Sequence, residues 1–249
     1  VKTTHTIHKP NNNNKNLYMK IECIKEQLEG ALIKADKIAG KNTTLPVLSG
    51  FYFEARQDSL LVKSTNLDLG VSITVPVKVV NPGIVVVPAH TITSFISSLS
   101  KDRNITISTK DQVLEIKTSS TKTNIKTLPS EEFPIIPQVG EDNSFVLPAR
   151  DFIFGIRSVI YAAATSSIKP ELSSISITHN GDFLVFAATD SFRLAEKKIR
   201  IKKTPHFKQI LLPQKNALEI IKIFDRGEEE ISLSIEEHQL ALRSEGVYL

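Results

Sequence analysis

The chain contains 249 residues, of which 41% are hydrophobic and 23% charged, and its formal net charge is +4 at pH 7. This length allows one large core or two modest ones, and the mildly basic balance is compatible with a polyanionic partner without requiring one. A single cysteine, Cys23, excludes an internal disulfide and a cysteine-based zinc cluster, which favours a reducing, cytoplasmic compartment. No stretch approaches the roughly 20 apolar residues of a membrane helix.

Residues 1–18 are predicted to be a disordered appendage. They contain an asparagine run from Asn11 to Asn14, lack hydrophobic periodicity and are too polar for a signal peptide. The folded part is therefore expected to begin at Met19.

From that point, helical and strand periods alternate along the chain. Apolar residues at helical spacing predict a first helix, at Ile24, Leu28, Ala31, Leu32, Ala35, Ile38 and Ala39. Short strands are predicted at residues 51–54, 59–64, 71–77 and 104–108, with a turn at Pro82-Gly83. A second helix is predicted after Val87-Pro88, with its apolar side at Ile92, Phe95, Ile96 and Leu99.

The second half of the chain repeats this order. At an offset of 124, residues 45–49 fall on residues 169–173 and Thr65 falls on Thr189; the offset then drifts, placing Val87 on Leu212. Apolar positions again predict two helices, the third at Phe152, Ile156, Val159, Ile160 and Ala163, and the fourth at Leu218, Ile221 and Phe224.

The chain is therefore predicted to be two copies of one unit of about 125 residues. Each copy is an α+β domain in which two helices pack on one face of an antiparallel sheet. We define the first repeat as residues 19–138 and the second repeat as residues 143–249. The second repeat stops at the counterpart of Thr123, so its last strand is expected to be missing and its sheet edge to be unpaired.

Two segments carry a resemblance to a known family. Residues 44–48, Thr-Leu-Pro-Val-Leu, and residues 189–195, Thr-Asp-Ser-Phe-Arg-Leu-Ala, resemble the bacterial DNA sliding clamp, the β subunit of DNA polymerase III. The resemblance extends from Met19 to Leu249 and includes the segments at residues 87–89, 132–134 and 169–172. The family's usual Thr-Asp-Gly-His-Arg-Leu form of the second motif is altered here at Ser191 and Phe192.

The resemblance implies a processivity factor without catalytic activity and without a cofactor. In the family, each chain has three tandem clamp domains, and two chains close head to tail into a ring around duplex DNA. The implied partners are duplex DNA, bound without sequence preference, and the replicative polymerase, clamp loader and repair proteins, which bind through short linear peptides. Only two clamp domains occur in this sequence, so it is expected to be a fragment that does not close the homodimer ring.

Basic residues on the predicted helices are the first group of site residues. A step of about 100° per residue places Lys34, Lys37 and Lys41 together, mostly opposite the apolar stripe of the first helix. The residues alone favour a solvated lysine face, whereas the resemblance implies that this helix faces the DNA. Further DNA contacts are predicted at Arg157, Lys169, Lys215 and Lys222. Lys169 ends the polar loop 164–169, for which an ordinary connection is an equal alternative.

The second motif supplies the other group of site residues. The resemblance implies that a groove for partner peptides is lined by Leu172, Thr189, Ser191, Phe192, Arg193 and Leu194. From the residues alone, Asp190 is expected to cap a turn and Leu194 to pack inward. Apolar side chains beside one arginine suit a peptide with hydrophobic anchors and a polar or acidic end.

Two other classes of function remain open from the residues. Asp190 and Arg193 could belong to a nucleotide-processing enzyme, although no histidine, second carboxylate or glycine-rich loop accompanies them at motif spacing. No histidine lies in a metal-ligand arrangement. A repeat-built module that binds only proteins is the other possibility.

The basic alternation after the second motif indicates a solvated strand edge, with Lys198, Arg200 and Lys202 on one face and Ile199 and Ile201 on the other.

Overall fold

A computed structural model describes residues 18–40, 45–99, 103–141, 144–166, 168–201, 207–224, 230–236 and 239–249. Within these residues the chain forms four α-helices, at Lys25–Asp36 (α1), Ala89–Ser98 (α2), Ala149–Val159 (α3) and Gln214–Phe224 (α4). None of the helices in this part of the chain has the length and apolarity needed to cross a membrane. The predicted appendage, up to residue 17, lies outside the described residues.

The strands of the first repeat are short and mostly joined by tight turns. They lie at Lys20–Ile24 (β1), Gly50–Arg56 (β2), Ser59–Thr65 (β3), Gly70–Pro76 (β4), Lys78–Asn81 (β5), Gly83–Pro88 (β6), Asn104–Lys110 (β7), Val113–Lys117 (β8) and Lys122–Lys126 (β9). A short 3-10 turn at Pro46–Ser49 precedes β2. The predicted strands at 51–54, 59–64, 71–77 and 104–108 correspond to β2, β3, β4 and β7.

Apart from a counterpart of β5, the described part of the second repeat has the same order of elements. Its strands lie at Ser144–Pro148 (β10), Ser174–Asn180 (β11), Phe183–Thr189 (β12), Leu194–Arg200 (β13), Ile210–Pro213 (β14), Glu230–Ile235 (β15), Leu240–Ser244 (β16) and Val247–Tyr248 (β17). Three of the helices begin directly after a proline that ends a strand, at Pro88, Pro148 and Pro213. Because the proline ring fixes φ, each of these residues turns the chain sharply from strand into helix.

In each repeat the two helices pack against each other and on a sheet. In the first repeat, α1 lies against β3 and β4 and α2 against β2 and β6; in the second, α3 lies against β12 and β13 and α4 against β11 and β14. Leu28 and Leu32 of α1 are fully buried, as are Phe152 and Ile156 of α3. These residues sit at the helical spacing that the sequence shows, which confirms the α+β prediction.

The only cysteine of the sequence belongs to the core of the first repeat. Cys23 lies on β1 and exposes 7% of its surface. Burial in apolar surroundings disfavours the thiolate and raises the pKa of the Cys23 thiol to about 12. The thiol is therefore protonated throughout the neutral range.

One antiparallel sheet of eight strands extends through both repeats, in the order β10-β15-β16-β17-β4-β3-β2-β6. Its central contact is the pairing of β17 with β4, in which Val247 faces Ile73 and Tyr248 faces Ser72. The expectation that the second repeat ends on an unpaired edge is therefore wrong. A two-residue strand forms at the counterpart of β9 and pairs with β16 on one side and with β4 of the first repeat on the other.

Side chains reinforce this junction. The Tyr248 hydroxyl donates to the Pro137 carbonyl at 2.9 Å and accepts from the Val139 amide at 2.9 Å, which ties β17 to the segment between the repeats. The Arg243 guanidinium lies over the Tyr248 ring, donates to the Ser234 hydroxyl and also donates to the Val139 carbonyl. Strand pairing, a hydroxyl and a guanidinium thus hold the two repeats together.

Two helical glycines provide a test of the packing. A Cβ at Gly155 of α3 would lie 2.4 Å from the Phe186 ring, whereas a Cβ at Gly30 of α1 would meet nothing within 4 Å. We expect Gly155→Ala to destabilise the protein by about 1–3 kcal/mol through overpacking. Gly30→Ala is the matched control and should stabilise it by about 0.5–1 kcal/mol through helix propensity. Urea denaturation would measure both, and equal effects of the two changes would contradict this packing.

Candidate functional site

The turn that joins β12 to β13 carries most of the predicted peptide groove. The Thr189 hydroxyl donates to the Arg193 carbonyl at 2.6 Å and accepts from the Ser191 amide at 3.1 Å. The Asp190 carboxylate accepts from the amides of Phe192, at 3.0 Å, and Arg193, at 2.8 Å. Ser191 stands at φ 77°, in the left-handed region. The prediction that Asp190 caps a turn is confirmed.

The charge on Asp190 is also paired within the turn. Its Oδ2 accepts from Nε of Arg193 at 3.0 Å and lies 2.9 Å from Nη2 of the same guanidinium. The backbone amides of Arg193 and Phe192, followed by the Arg193 side chain, lower the pKa of Asp190 below its usual value. The ionised Asp190 carboxylate is therefore the form that accepts from these amides and holds the turn.

The apolar residues of the turn point away from the core. Phe192 exposes 97% of its surface and Leu194 exposes 75%, so the expectation that Leu194 packs inward is wrong. The alternation of β13 explains the difference, because the next residue, Ala195, takes the buried position and turns Leu194 to the opposite face. Two large apolar side chains and one arginine are therefore presented together on the surface.

Leu172 lies outside this turn, in the segment that leads into β11. Its carbonyl accepts from the Ala164 amide at 2.8 Å and its amide donates to the Lys169 carbonyl at 3.0 Å. These bonds close the loop 164–169, in which Lys169 is exposed; Ser167 lies outside the described residues. Leu172 itself is half-buried. The structure thus brings Thr189, Ser191, Phe192, Arg193 and Leu194 into one turn and places Leu172 in the segment before β11.

The predicted DNA-contacting lysines of the first repeat lie at the carboxyl end of α1. Lys34 is half-buried in the last turn of the helix, and Lys37 is the exposed residue that caps it. Ile33, next to them, exposes 42% of its surface. Lys41 lies outside the described residues. Positive charge at this helix end is favourable because it opposes the partial negative charge of the last carbonyls.

The basic residues of the second repeat have different surroundings. Arg157 is exposed on α3. On α4, Lys215 forms an ion pair across the junction with Asp68 of the first repeat, at 2.5 Å, and Lys222 pairs with Glu219 at 2.8 Å. Both lysines of α4 are thus already paired with carboxylates, which their spacing in the sequence does not indicate.

The basic alternation on β13 follows the predicted pattern. Ile199 and Ile201 are buried, while Lys198 and Arg200 are exposed. Lys198 lies 3.3 Å from Glu196, and Arg200 lies 4.0 Å from Asp182. Lys202, the third residue of the pattern, lies outside the described residues. These pairs are typical of a solvated strand edge.

A second copy of the same turn lies in the first repeat, and none of its residues is among the predicted site residues. Between β3 and β4, the Thr65 hydroxyl donates to the Leu69 carbonyl at 2.7 Å and accepts from the Leu67 amide at 3.0 Å. Asn66 Oδ1 accepts from the amides of Asp68, at 3.0 Å, and Leu69, at 2.8 Å. Leu67 stands at φ 77°, as Ser191 does. The alignment of Thr65 with Thr189 in the repeat is the sequence signal for this equivalence.

Comparison with protein families identifies the origin of the two repeats. The family model for the N-terminal domain of the DNA polymerase III beta subunit matches residues 19–137, and the model for its central domain matches residues 146–249. This chain belongs to the DNA polymerase III beta subunit family.

Within the described residues, no cluster of three or more histidine, cysteine, aspartate or glutamate side chains is arranged to hold a metal ion.

Individual relatives agree with the family assignment. A beta sliding clamp of Staphylococcus aureus (strain Mu50) is 26% identical over 216 residues, which cover 83% of this chain and 57% of the relative. The beta subunit structure from Thermotoga maritima is 26% identical with a TM-score of 0.85, covering 92% of this chain and 63% of that one. The sliding clamp structure from Bacillus subtilis has the same fold, with 24% identity, a TM-score of 0.86, and coverage of 93% and 63%.

The chain therefore spans about three-fifths of the length of these beta subunit relatives, 57% of the S. aureus protein and 63% of the two structures. The two turns at residues 65–70 and 189–194 stand at equivalent places in the N-terminal and central domains of the family.

The two Asx residues suggest a test of the turn at residues 189–194. Asp190→Ala removes the carboxylate oxygen that accepts from the Phe192 and Arg193 amides. We therefore expect hydrogen exchange at these two amides to become several-fold faster. Asp190→Asn is the matched control, because Asn66 Oδ1 caps the equivalent turn without a charge. Since the turn lowers the pKa of Asp190, the ionised form is the stabilising one.

The effect of pH on this turn follows from the same shift. Protection of the two amides should be complete at neutral pH and should weaken as the pH falls through the lowered pKa of Asp190. In Asp190→Asn this pH dependence should disappear. Exchange measured by NMR would decide the matter, and equal protection in the wild type and Asp190→Ala would show that Asp190 does not hold the turn.

Proposed function

We propose that this chain acts as part of a DNA sliding clamp, the non-catalytic processivity subunit that encircles duplex DNA in the cytoplasm and holds the replicative polymerase on it. The observation that carries the proposal is the ordered match of its two repeats to the N-terminal and central domains of the DNA polymerase III beta subunit. The continuous sheet through both repeats supports it, because an element that surrounds DNA needs a fixed angle between its domains.

The helix pairs form the proposed DNA-facing surface. Movement along DNA without sequence preference requires diffuse contacts to phosphates, because tight hydrogen bonds to base edges would stop the motion. Lys34 and Lys37 at the end of α1 and Arg157 on α3 have the charge and the position for such contacts. Lys41, Lys169, Lys215 and Lys222 are proposed as secondary contributors.

The turn at residues 189–194 is the proposed docking site for partner peptides. Phe192 and Leu194 are exposed apolar side chains of the kind that bury well against a partner, and Arg193 beside them offers a guanidinium. Leu172, Thr189 and Ser191 complete the proposed groove. The expected partners are short linear segments of the polymerase, the clamp loader and repair proteins, with hydrophobic anchors and an acidic residue.

Affinity for duplex DNA at several salt concentrations tests the DNA-facing surface. We expect weak binding without sequence preference, in which the logarithm of the affinity falls with the logarithm of salt by about 0.9 per phosphate neutralised. Replacing Lys34, Lys37 and Lys41 with alanine should flatten this slope. The matched control replaces Lys110, Lys122 and Lys126, three exposed lysines of the sheet β5-β1-β7-β8-β9, and should leave most of the slope intact.

Three results would contradict the proposal. An unchanged slope in the α1 variant would remove this helix from the DNA-facing surface. Absence of any salt-dependent affinity for duplex DNA in the wild type would favour a module that binds only proteins. Turnover of nucleotides in the presence of a divalent metal would instead favour an enzyme.

Peptide titration tests the turn at residues 189–194. A labelled peptide with two hydrophobic anchors and one acidic residue should bind the wild type and bind Leu194→Ala about tenfold more weakly, because the variant loses an exposed apolar contact. Leu218→Ala, which shortens an exposed leucine on α4, is the matched control and should bind as the wild type does. Fluorescence anisotropy would measure all three, and equal affinities would exclude Leu194 from the site.

A further inference from the structure

The exposed side of α3 combines basic and aromatic side chains. The helix continues beyond Val159 into a 3-10 turn at Ile160–Ala162. Four exposed residues recur at helical spacing along this side, and we call them the α3 face: Arg150, Phe154, Arg157 and Tyr161. Phe154 exposes 53% of its surface and Tyr161 exposes 61%. Among the helical residues that the structure describes, these two are the aromatic residues that are exposed.

The first repeat shows that the fold does not require this composition. At the offset of 124, the buried residues of α1 fall on those of α3, for example Leu28 on Phe152 and Leu32 on Ile156. The exposed positions that correspond to the α3 face are Glu26, Gly30, Ile33 and Lys37. They include neither an aromatic ring nor an arginine. The two rings and two guanidinium groups of the α3 face are therefore not a requirement of the shared packing.

The α3 face is also not a contact between neighbouring repeats. The equivalent residues of α1 remain exposed although the second repeat follows the first in the chain. Ile33, which corresponds to Arg157, exposes 42% of its surface, and Lys37, which corresponds to Tyr161, is exposed at the end of its helix. The junction of the repeats instead uses β4 and β17. The fold thus leaves this side of the helix accessible to a ligand.

The charge around the α3 face is positive. Lys197 of β13 reaches toward α3, and its ammonium lies 4.5 Å from the centroid of the Phe154 ring. Asp151, the one acidic residue of α3, lies 3.7 Å from Arg150. A solvent-accessible pair at this distance contributes little. With Arg157 and Lys197, the cations beside the two rings outnumber this carboxylate, which favours a polyanion as the ligand.

The two rings distinguish among polyanions. In a duplex, the faces of the bases are covered by the neighbouring base pairs, so a ring on a protein surface has no base to stack on. In an unpaired strand these faces are accessible, and proteins that bind single strands combine basic groups for the phosphates with aromatic rings for the bases. Because every base has an aromatic face, such stacking tolerates any sequence. The α3 face has this combination of groups.

The spacing of the α3 face fits a strand that runs along the helix. Phe154 and Tyr161 are seven positions apart, which at about 1.5 Å per residue places them about 10 Å apart along the axis. Stacked bases repeat at about 3.4 Å along one strand, so the two rings suit bases about three nucleotides apart. Arg157 lies between the two rings in the sequence and Arg150 lies before Phe154. Guanidinium groups and rings therefore alternate along the face, as phosphates and bases alternate along a strand.

We propose that the α3 face binds an unpaired DNA strand, with bases stacked on its two rings and phosphates held by its two guanidinium groups and by Lys197. The inference rests on the function proposed above and extends it. The lysines of α1, which has no exposed ring, contact the phosphates of duplex DNA, whereas α3 binds a strand that is no longer paired. A polymerase works at the boundary between paired and unpaired template, where both surfaces would be occupied.

The test compares two labelled single strands with the same number of phosphates, an oligothymidylate of about 12 nucleotides and an abasic strand of the same length. In fluorescence anisotropy, the full 249-residue chain should bind the oligothymidylate about tenfold more tightly than the abasic strand, because only the first can stack. Equal affinities would show that the chain recognises charge alone and would overturn the proposal.

Removing the rings should abolish this preference. The double variant Phe154→Leu, Tyr161→Leu keeps apolar side chains at both positions, so we expect about tenfold weaker binding of the oligothymidylate with an unchanged salt slope. Phe183→Leu is the matched control, because Phe183 is an exposed ring on the side of β12 opposite to Phe186, which packs on α3. This control should bind both strands as the wild type does. Tyr161→Leu alone, at the more exposed position, guards against misfolding and should weaken oligothymidylate binding several-fold.

Two further measurements distinguish this inference from the proposed function. A photoreactive iodouracil base in the oligothymidylate should crosslink within residues 149–162, and a crosslink confined to other residues would overturn the inference. Duplex DNA, titrated in parallel, should bind the wild type and the double ring variant equally. Salt-dependent duplex binding without any preference for the oligothymidylate would remove the inference and leave the proposed function intact. A ring-dependent preference without duplex binding would do the reverse.

Discussion

The pairing of two short strand segments, β17 and β4, is the contact on which the arrangement of both repeats depends. The Thr74 amide donates to the Gly246 carbonyl at 2.8 Å, and Gly246 at φ 69° turns the chain so that β17 can meet β4. Because backbone hydrogen bonds fix both distance and direction, the two helix pairs are held in one orientation. The relative placement of the two helix pairs, on which the proposed DNA-facing surface depends, follows from this contact.

The sequence predicts the helices and most strands because burial leaves a local period. Leu28 and Leu32 are one helical turn apart, and both are fully buried. The strand β17 leaves no such signal, since two residues show no period and their second partner, β4, lies about 175 residues earlier in the chain. The internal repeat of the sequence predicts the equivalence of the two turns, whereas their shared hydrogen bonds are visible only in the structure.

The exposed residues of the two turns explain why sites are harder to predict than folds. Leu194 is apolar, and an apolar residue in a strand is usually assigned to the core, yet its neighbour Ala195 fills the inward position. In both turns a threonine and the Asx residue that follows it make the hydrogen bonds that hold the backbone, while the next three residues differ between the two copies. Leu67 and Asp68 in one turn and Ser191 and Phe192 in the other show that the chemistry at the surface changes without changing the scaffold.

The burial of Cys23 has a practical consequence for work with this chain. A thiol with a pKa of about 12 holds almost no thiolate at neutral pH, and maleimides and disulfide reagents react with the thiolate. We therefore expect Cys23 to react slowly with these reagents in the folded protein. One cysteine added on the surface of each repeat can then be labelled selectively, so that a pair of dyes would report on the arrangement of the two repeats.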